Sequence, residues 1–363
     1  MKSIRSNQRF RRFLTGALVW SVAAGLYLVR AEAQESRDTI RIDTNLVSIP
    51  ATVVDRDGRG VPGLPSSDFK ILEDGVEQKI TGFESTSSPV TVLLLVDVSG
   101  SMIEFRPQVG KALDTFIRGL RPDDMFAVAY FASESTLDMR VPLTRKRDYQ
   151  YTPRRAAGPA RGSGLSFTMT VDAIANALDY MRTLKGRRAI VVFGDADLSG
   201  RNASVASTLW DAEEQEALIY TVRYGEYPGA CVEYAANLAQ RSIAGKSFDV
   251  DEVSIVGDAD LRKLGHKGCY YREKEIPKLI RDVDAYFLGL AEKTGGRGYR
   301  IKEIGDLSAT FSQIIAELGQ QYLLSYYSTE AAKGRERRKI TVKVNKPDVA
   351  VRSRREVVLR ANK

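Results

Sequence analysis

The chain has 363 residues, 43% of them hydrophobic, and a formal net charge of +8, enough for two or three domains with sizeable cores. Lys2, Arg5, Arg9, Arg11, Arg12 and Arg30 against Glu32 put +5 of that charge within residues 1–33. The +3 that remains is close to neutral for the length, which argues against a chain built to bind nucleic acid.

The elements follow in chain order. A basic stretch ends at Arg12, "FLTGALVWSVAAGLYLV" is apolar, and Ala31 and Ala33 form a small-x-small cleavage pattern. Residues 1–33 therefore read as a signal peptide and the protein as exported, periplasmic or secreted. N-terminal sequencing of native material is expected to start at Gln34. A chain still starting near Met1 would make this segment a membrane anchor instead, the one case in which a membrane is a partner.

Residues 34–88 carry short β-branched runs around Asp57-Gly58 and Asp74-Gly75, turn pairs typical of hairpins. They predict a small β-sandwich domain. After "STSSP" the texture changes. "VTVLLLVDV" is a continuous apolar run, as expected of a strand covered on both faces. Helical spacing over 106–120, a strand at 125–131, a helix at 170–184, a strand at 187–197, a helix from Ser204, a strand at 217–225, a helix at 280–296 and another near Asp306–Leu318 alternate down the chain. That alternation predicts an α/β, doubly wound, mainly parallel sheet over residues 89–327. Residues 226–275 interrupt it as an insertion with Cys231, Cys269 and His266, the only histidine. In an exported chain the two cysteines either pair or stay buried as free thiols. Residues 328–363 alternate like a β-hairpin and read as a C-terminal extension.

In a parallel sheet ligands collect at the carboxyl ends of the strands. Asp97 ends the first strand, with Ser99 and Ser101 behind it, Asp195 ends "AIVVFGD", and the loop before the 170–184 helix brings Thr168 or Thr170. Two carboxylates and several hydroxyls are hard oxygen donors, suited to Mg²⁺, Mn²⁺ or Ca²⁺ rather than zinc. Enzymatic readings fail on chemistry. A phosphatase of the haloacid-dehalogenase type needs a second acid two residues after its aspartate, where Ser99 stands. A serine hydrolase needs a nucleophile elbow, which "VSGSM" is not, and a histidine base beside it.

"DVSGS" after a buried strand resembles the metal-ion-dependent adhesion site of a von Willebrand factor A domain. "FTMTVDAI" resembles that family's second loop, with Thr168 four residues before Asp172, and "VVFGDADLSG" its third, with Asp195 in the metal-facing place. Phe167 and Ala196 depart from the small residue and the glycine common there. With "VPGLPSSDFKILEDGVEQKITGF", "LAEKTGGRGYRI" and "ELGQQYLLSYYS", the whole resembles exported bacterial von Willebrand factor A-related proteins, best known from Acidobacteria. The resemblance implies a metal set of Asp97, Ser99, Ser101, Thr168 and Asp195, and a non-enzymatic protein that captures a protein partner through a carboxylate on the ion. It also implies a rearrangement of the last helix on binding. The alternative is a structural or assembly factor of the envelope whose metal only braces the loops.

Overall fold

The structure, a computed structural model, describes residues 46–149, 168–195, 198–225, 276–330 and 332–360. The chain divides into two units, Met1–Asp43 and Thr44–Lys363, and everything described belongs to the second. The signal-peptide segment, the 226–275 insertion and both cysteines lie outside the described residues.

Four strands open the fold: β1 (Leu46–Asp55), β2 (Phe69–Glu73), β3 (Val76–Gln78) and β4 (Ile80–Glu84). The two-residue loop between β2 and β3 is Asp74-Gly75. Both residues have positive φ, 47° and 90°, the backbone of a type I′ hairpin turn, which glycine adopts without a Cβ clash. The next elements are β5 (Val90–Asp97), α1 (Arg106–Gly119), β6 (Met125–Phe131), β7 (Asp138–Thr144), α2 (Thr170–Arg182), β8 (Arg187–Gly194), α3 (Val205–Glu214) and β9 (Leu218–Tyr224). The chain then runs through α4 (Ile276–Thr294), β10 (Gly298–Ile301), α5 (Leu307–Leu318), β11 (Gln321–Tyr327), β12 (Arg335–Val344), β13 (Val349–Ser353) and β14 (Glu356–Arg360).

The central sheet has the order β10-β9-β8-β5-β6-β7. Its pairs are parallel except β6 with β7. β7 is an antiparallel edge that the sequence did not mark, because its residues are only half-buried and lack an apolar run. β5 shows why the sheet takes helices on both faces. Val92, Leu94 and Val96 face the core closed by α1 and α5, where Phe116 and Phe311 meet edge to face at 5.4 Å. Leu93 and Leu95 face the opposite core, closed by Ile174 and Leu178 of α2 and by Phe287 and Leu290 of α4. Among the described residues no helix is long and apolar enough to cross a membrane.

The second layer is a sandwich of two four-stranded sheets, β13-β1-β11-β4 and β14-β12-β2-β3. Its core joins Ile49 and Val53 of β1, Tyr322 and Leu324 of β11, Ile71 of β2 and Ile340 of β12. The sequence reading placed this layer in residues 34–88 alone and made 328–363 a separate extension. The strands pool the two segments and also take Gln321–Tyr327, which the reading had assigned to the central domain. The expected tail hairpin is likewise split: β12 pairs with β14, while β13 crosses to β1. The reason is strand supply. Two short hairpins cannot bury both their faces, and a sandwich closes only when the returning chain completes each sheet.

Partly buried ion pairs fasten the sandwich to the central domain. Glu213, 3% exposed at the end of α3, receives both Arg337 Nη2–H and Nε–H and is also bonded by Lys293. Arg352 of β13 reaches Glu317 of α5 at 2.5 Å. Arg354 donates to the main-chain oxygens of Glu213 and Gln215, where the α3 carbonyls run out of helical partners.

Candidate metal-binding site

From β5 the chain winds to β6 on one side and then returns to β8 on the other. The carboxyl ends of β5 and β8 therefore flank the point where strand order reverses, the usual crevice for a ligand in such a sheet. Asp97 is the last residue of β5 and Asp195 follows the end of β8.

After Asp97 the chain turns at once. Ser99 N–H donates to Asp97 Oδ1 at 2.8 Å, Met102 N–H donates to Ser99 O at 3.2 Å, and a 3₁₀ segment from Gly100 to Phe105 leads into α1. The turn brings the Ser99 and Ser101 hydroxyls within 3.0 Å of each other. Asp97, Ser99, Thr168 and Asp195 are buried and Ser101 half-buried. Gly194 makes the close approach of the strands possible: a Cβ there would lie 2.9 Å from Asp97 Oδ2.

The two carboxylates are poorly served by protein groups. Asp97 Oδ2 and Asp195 Oδ1 are buried without a hydrogen-bond partner. Burial, and then the charge of Asp195, push the Asp97 carboxyl well above the usual carboxylate range, against the Ser99 hydrogen bonds. Burial raises Asp195 too, opposed by Ser101, Asp97 and the charge of Arg223. A pair of desolvated acids with orphaned oxygens calls for a cation between them. Among the described residues no cluster of three or more His, Cys, Asp or Glu side chains forms. The donor set here is two carboxylates completed by hydroxyls, which fits a hard divalent ion that keeps other coordination positions open.

Thr168 enters from the other side. Met169 N–H donates to Ala132 O just beyond β6 at 2.7 Å, and Val171 N–H donates to Ser199 O in the loop after β8 at 3.1 Å. The segment is thus tied to the loops of both neighbours. Thr170, the alternative read from the sequence, begins α2. It is fully buried, and its hydroxyl has no partner.

Asp172, in the first turn of α2, lies outside the five expected metal ligands. Asp172 accepts hydrogen bonds from the main-chain N–H groups of Arg201, Asn202 and Ala203 at 3.0, 3.0 and 2.8 Å. Burial opposes its charge, but these donors outweigh burial and hold its carboxyl below the ordinary range. Asp172 therefore fixes the loop after Asp195 from the first turn of α2. The local signal was an acid in a helix's first turn; its partners lie too far along the chain to be read. Asp172→Asn turns one acceptor into a donor facing Arg201 N–H. It is expected to cost about 1–3 kcal/mol in a urea melt and to weaken Mg²⁺ binding although no ligand is removed. Unchanged stability and affinity would deny the clamp.

Three more residues border the crevice. Arg223, 1% exposed, sits opposite Gly194 on β9 and donates to Asp284 at 2.8 Å. Phe105 and Tyr224 meet edge-on at 4.8 Å.

Neither a protein-family model nor a curated protein matches the chain. Solved structures with similar folds include the conserved hypothetical protein BatB from Bacteroides thetaiotaomicron. It is 14% identical, with 63% of this chain and 98% of that one covered and a TM-score of 0.37. Another is the von Willebrand factor type A protein from Catenulispora acidiphila, 12% identical, covering 88% and 73%, TM-score 0.37. A third is proximal thread matrix protein 1 from the mussel byssus, described with a zinc-occupied MIDAS motif. It is 12% identical, covering 68% and 49%, TM-score 0.39. In this chain the observations are the strand order and the places of Asp97 and Asp195 at the ends of β5 and β8. They agree with the doubly wound, mainly parallel α/β fold expected from the sequence.

Proposed function

We propose that this is a non-enzymatic, exported binding protein that captures an acidic protein partner through a divalent cation, Mg²⁺ in the first instance. The supporting observation is the pair of buried, unpartnered oxygens, Asp97 Oδ2 and Asp195 Oδ1, at the switch-point crevice. Asp97 and Asp195 supply charge, and Ser99, Ser101 and Thr168 supply neutral oxygens. An ion held by so few carboxylates remains electrophilic and has room for a partner's carboxylate. Arg223 beside Asp195 adds positive charge on the same rim.

The competing reading makes the metal a brace for the loops of an envelope assembly factor. Chelation separates the two. The binding module stays folded at 25 °C and releases its partner, whereas the brace melts. Pull-down from envelope extract with and without Mg²⁺, alongside circular dichroism in EDTA, reads both. Retention of the same partner in EDTA would end the proposal.

Acid should weaken the site. Both carboxyls titrate above their unfolded values when no ion is present, so protons compete with the metal. Between the unfolded and folded pKa values the native state holds more protons, and stability of the metal-free protein falls as pH rises through that window. The rise in Tm on adding Mg²⁺ is therefore expected to be larger at pH 7 than at pH 5. A constant shift would contradict the assignment of these two groups to the site.

A further inference from the structure

At the amino-terminal ends of the central strands β5 and β8, away from the metal site, a cavity of about 300 Å³ lies beneath the end of α5, lined among others by Val90, Arg121, Asp124, Arg187 and Gln320. Both connectors between sandwich and central domain cross here: residues 85–89 lead from β4 to β5, and Gly319-Gln320 leads from α5 to β11. Two guanidinium groups converge on the crossing. Arg187, 5% exposed, donates to the main-chain oxygens of Thr86, Ser88 and Leu318. Arg121 donates to Thr86 O at 2.5 Å and Gly319 O at 2.9 Å.

The hydrogen-bond partners of both guanidiniums are neutral carbonyls. Two carboxylates, Asp124 and Glu84, lie close enough to act on Arg187 electrostatically. Asp124 is already engaged by main-chain donors, accepting from Val90 N–H at 2.9 Å and Arg121 N–H at 2.8 Å. Arg147 adds a third guanidinium behind the same turn, donating to the carbonyls of Arg121 and Asp124. One donor is left over: Arg187 Nε–H is buried, in a residue that lines the cavity, and has no hydrogen-bond partner. Buried charge is ordinarily matched by an opposite charge, and a guanidinium's fork suits a planar or tetrahedral oxyanion. The volume holds such an ion with water to spare, and Arg121 is exposed, so the cavity has a way in.

We propose that this cavity is a binding site for a small oxyanion, phosphate or a simple carboxylate, held between Arg121 and Arg187. The ion ties both connectors to the end of α5. The site shares no residue with the metal centre and does not depend on it.

The test is a thermal melt of the full chain in EDTA, so that the metal centre contributes nothing, with phosphate, acetate or chloride at matched ionic strength. Phosphate is expected to give a saturable rise in Tm of about 2–4 °C at roughly ten times its Kd, with none for chloride. An equal response to acetate assigns the site to carboxylates; a response to phosphate alone assigns it to phosphates. Arg121→Gln, which removes the charge together with the guanidinium bonds to Thr86 O and Gly319 O, is expected to weaken the response about tenfold. Arg187→Lys, which keeps the charge but loses the fork, should weaken it as well. ³¹P line broadening with the wild-type chain gives a readout independent of stability. No response beyond chloride, or the same response in Arg121→Gln, overturns the proposal and leaves the metal reading untouched.

Discussion

Asp97→Asn is expected to abolish the response of the protein to Mg²⁺ and, in EDTA, to make it more stable than the wild type. The two halves have one cause. Asp97 is a buried carboxylate facing a second buried carboxylate, and each has an oxygen without a partner. With a divalent ion present, that concentration of charge is the source of affinity. Removing one of two charged ligands costs at least about tenfold, or about 1.4 kcal/mol. Without an ion the same charges repel in a medium that solvates them poorly, and the fold is held together despite them. Asparagine keeps an acceptor for Ser99 N–H, so the turn survives. Titration calorimetry gives the affinity, and melts with and without chelator give the stability. Wild-type affinity in the variant would remove Asp97 from the site. A variant less stable than wild type in EDTA would mean that the carboxylate serves the fold and the ion only follows.

The second large effect lies in the sandwich. Glu73, 3% exposed, accepts hydrogen bonds from Tyr326 Oη–H at 2.5 Å and Ser328 Oγ–H at 2.7 Å, and Arg338 Nη1–H approaches it at 3.2 Å. Arg338 is itself 11% exposed and also faces Glu330 and Glu336 at 3.3 and 2.7 Å. Arg338→Met strands a buried carboxylate among further acids, and a broken buried pair costs about 3–5 kcal/mol. The midpoint should fall on the order of 10 °C. Glu73→Gln in the same chain removes the stranded charge and is expected to recover more than half of the loss. A cost below about 1 kcal/mol for the single change would show the pair to be solvated and worth no more than a surface bridge. Because Glu73 lies on β2 and Arg338 on β12, this measurement also reports whether the two ends of the chain fold as one layer.

The central domain was legible from the sequence because its determinants are local. A strand buried on both faces needs an unbroken apolar run such as "VTVLLLVDV", and helices packed on a sheet need apolar spacing of the kind seen from Val109 to Leu120. The candidate site was legible for the same reason. Three of its five residues fall within one turn of chain, and the other two sit at the end of a buried strand and the start of a helix. What the tertiary structure decided is whatever depends on distant pairing. The sandwich strands look alike in alternation, and nothing local tells β11 that it belongs with β1 and β4 or sends β13 away from its neighbours; register and partner are chosen by burying one shared core. The grip of Asp172 on residues 201–203, the arginines of β12 and β13 on α3 and α5, and the two guanidiniums at the connector crossing are side-chain contacts between segments far apart in sequence. They arise only once the sheets have packed and desolvated charges must find partners, so the sequence alone determined the fold of the central domain and the oxygen donors, while packing decided what holds them in place.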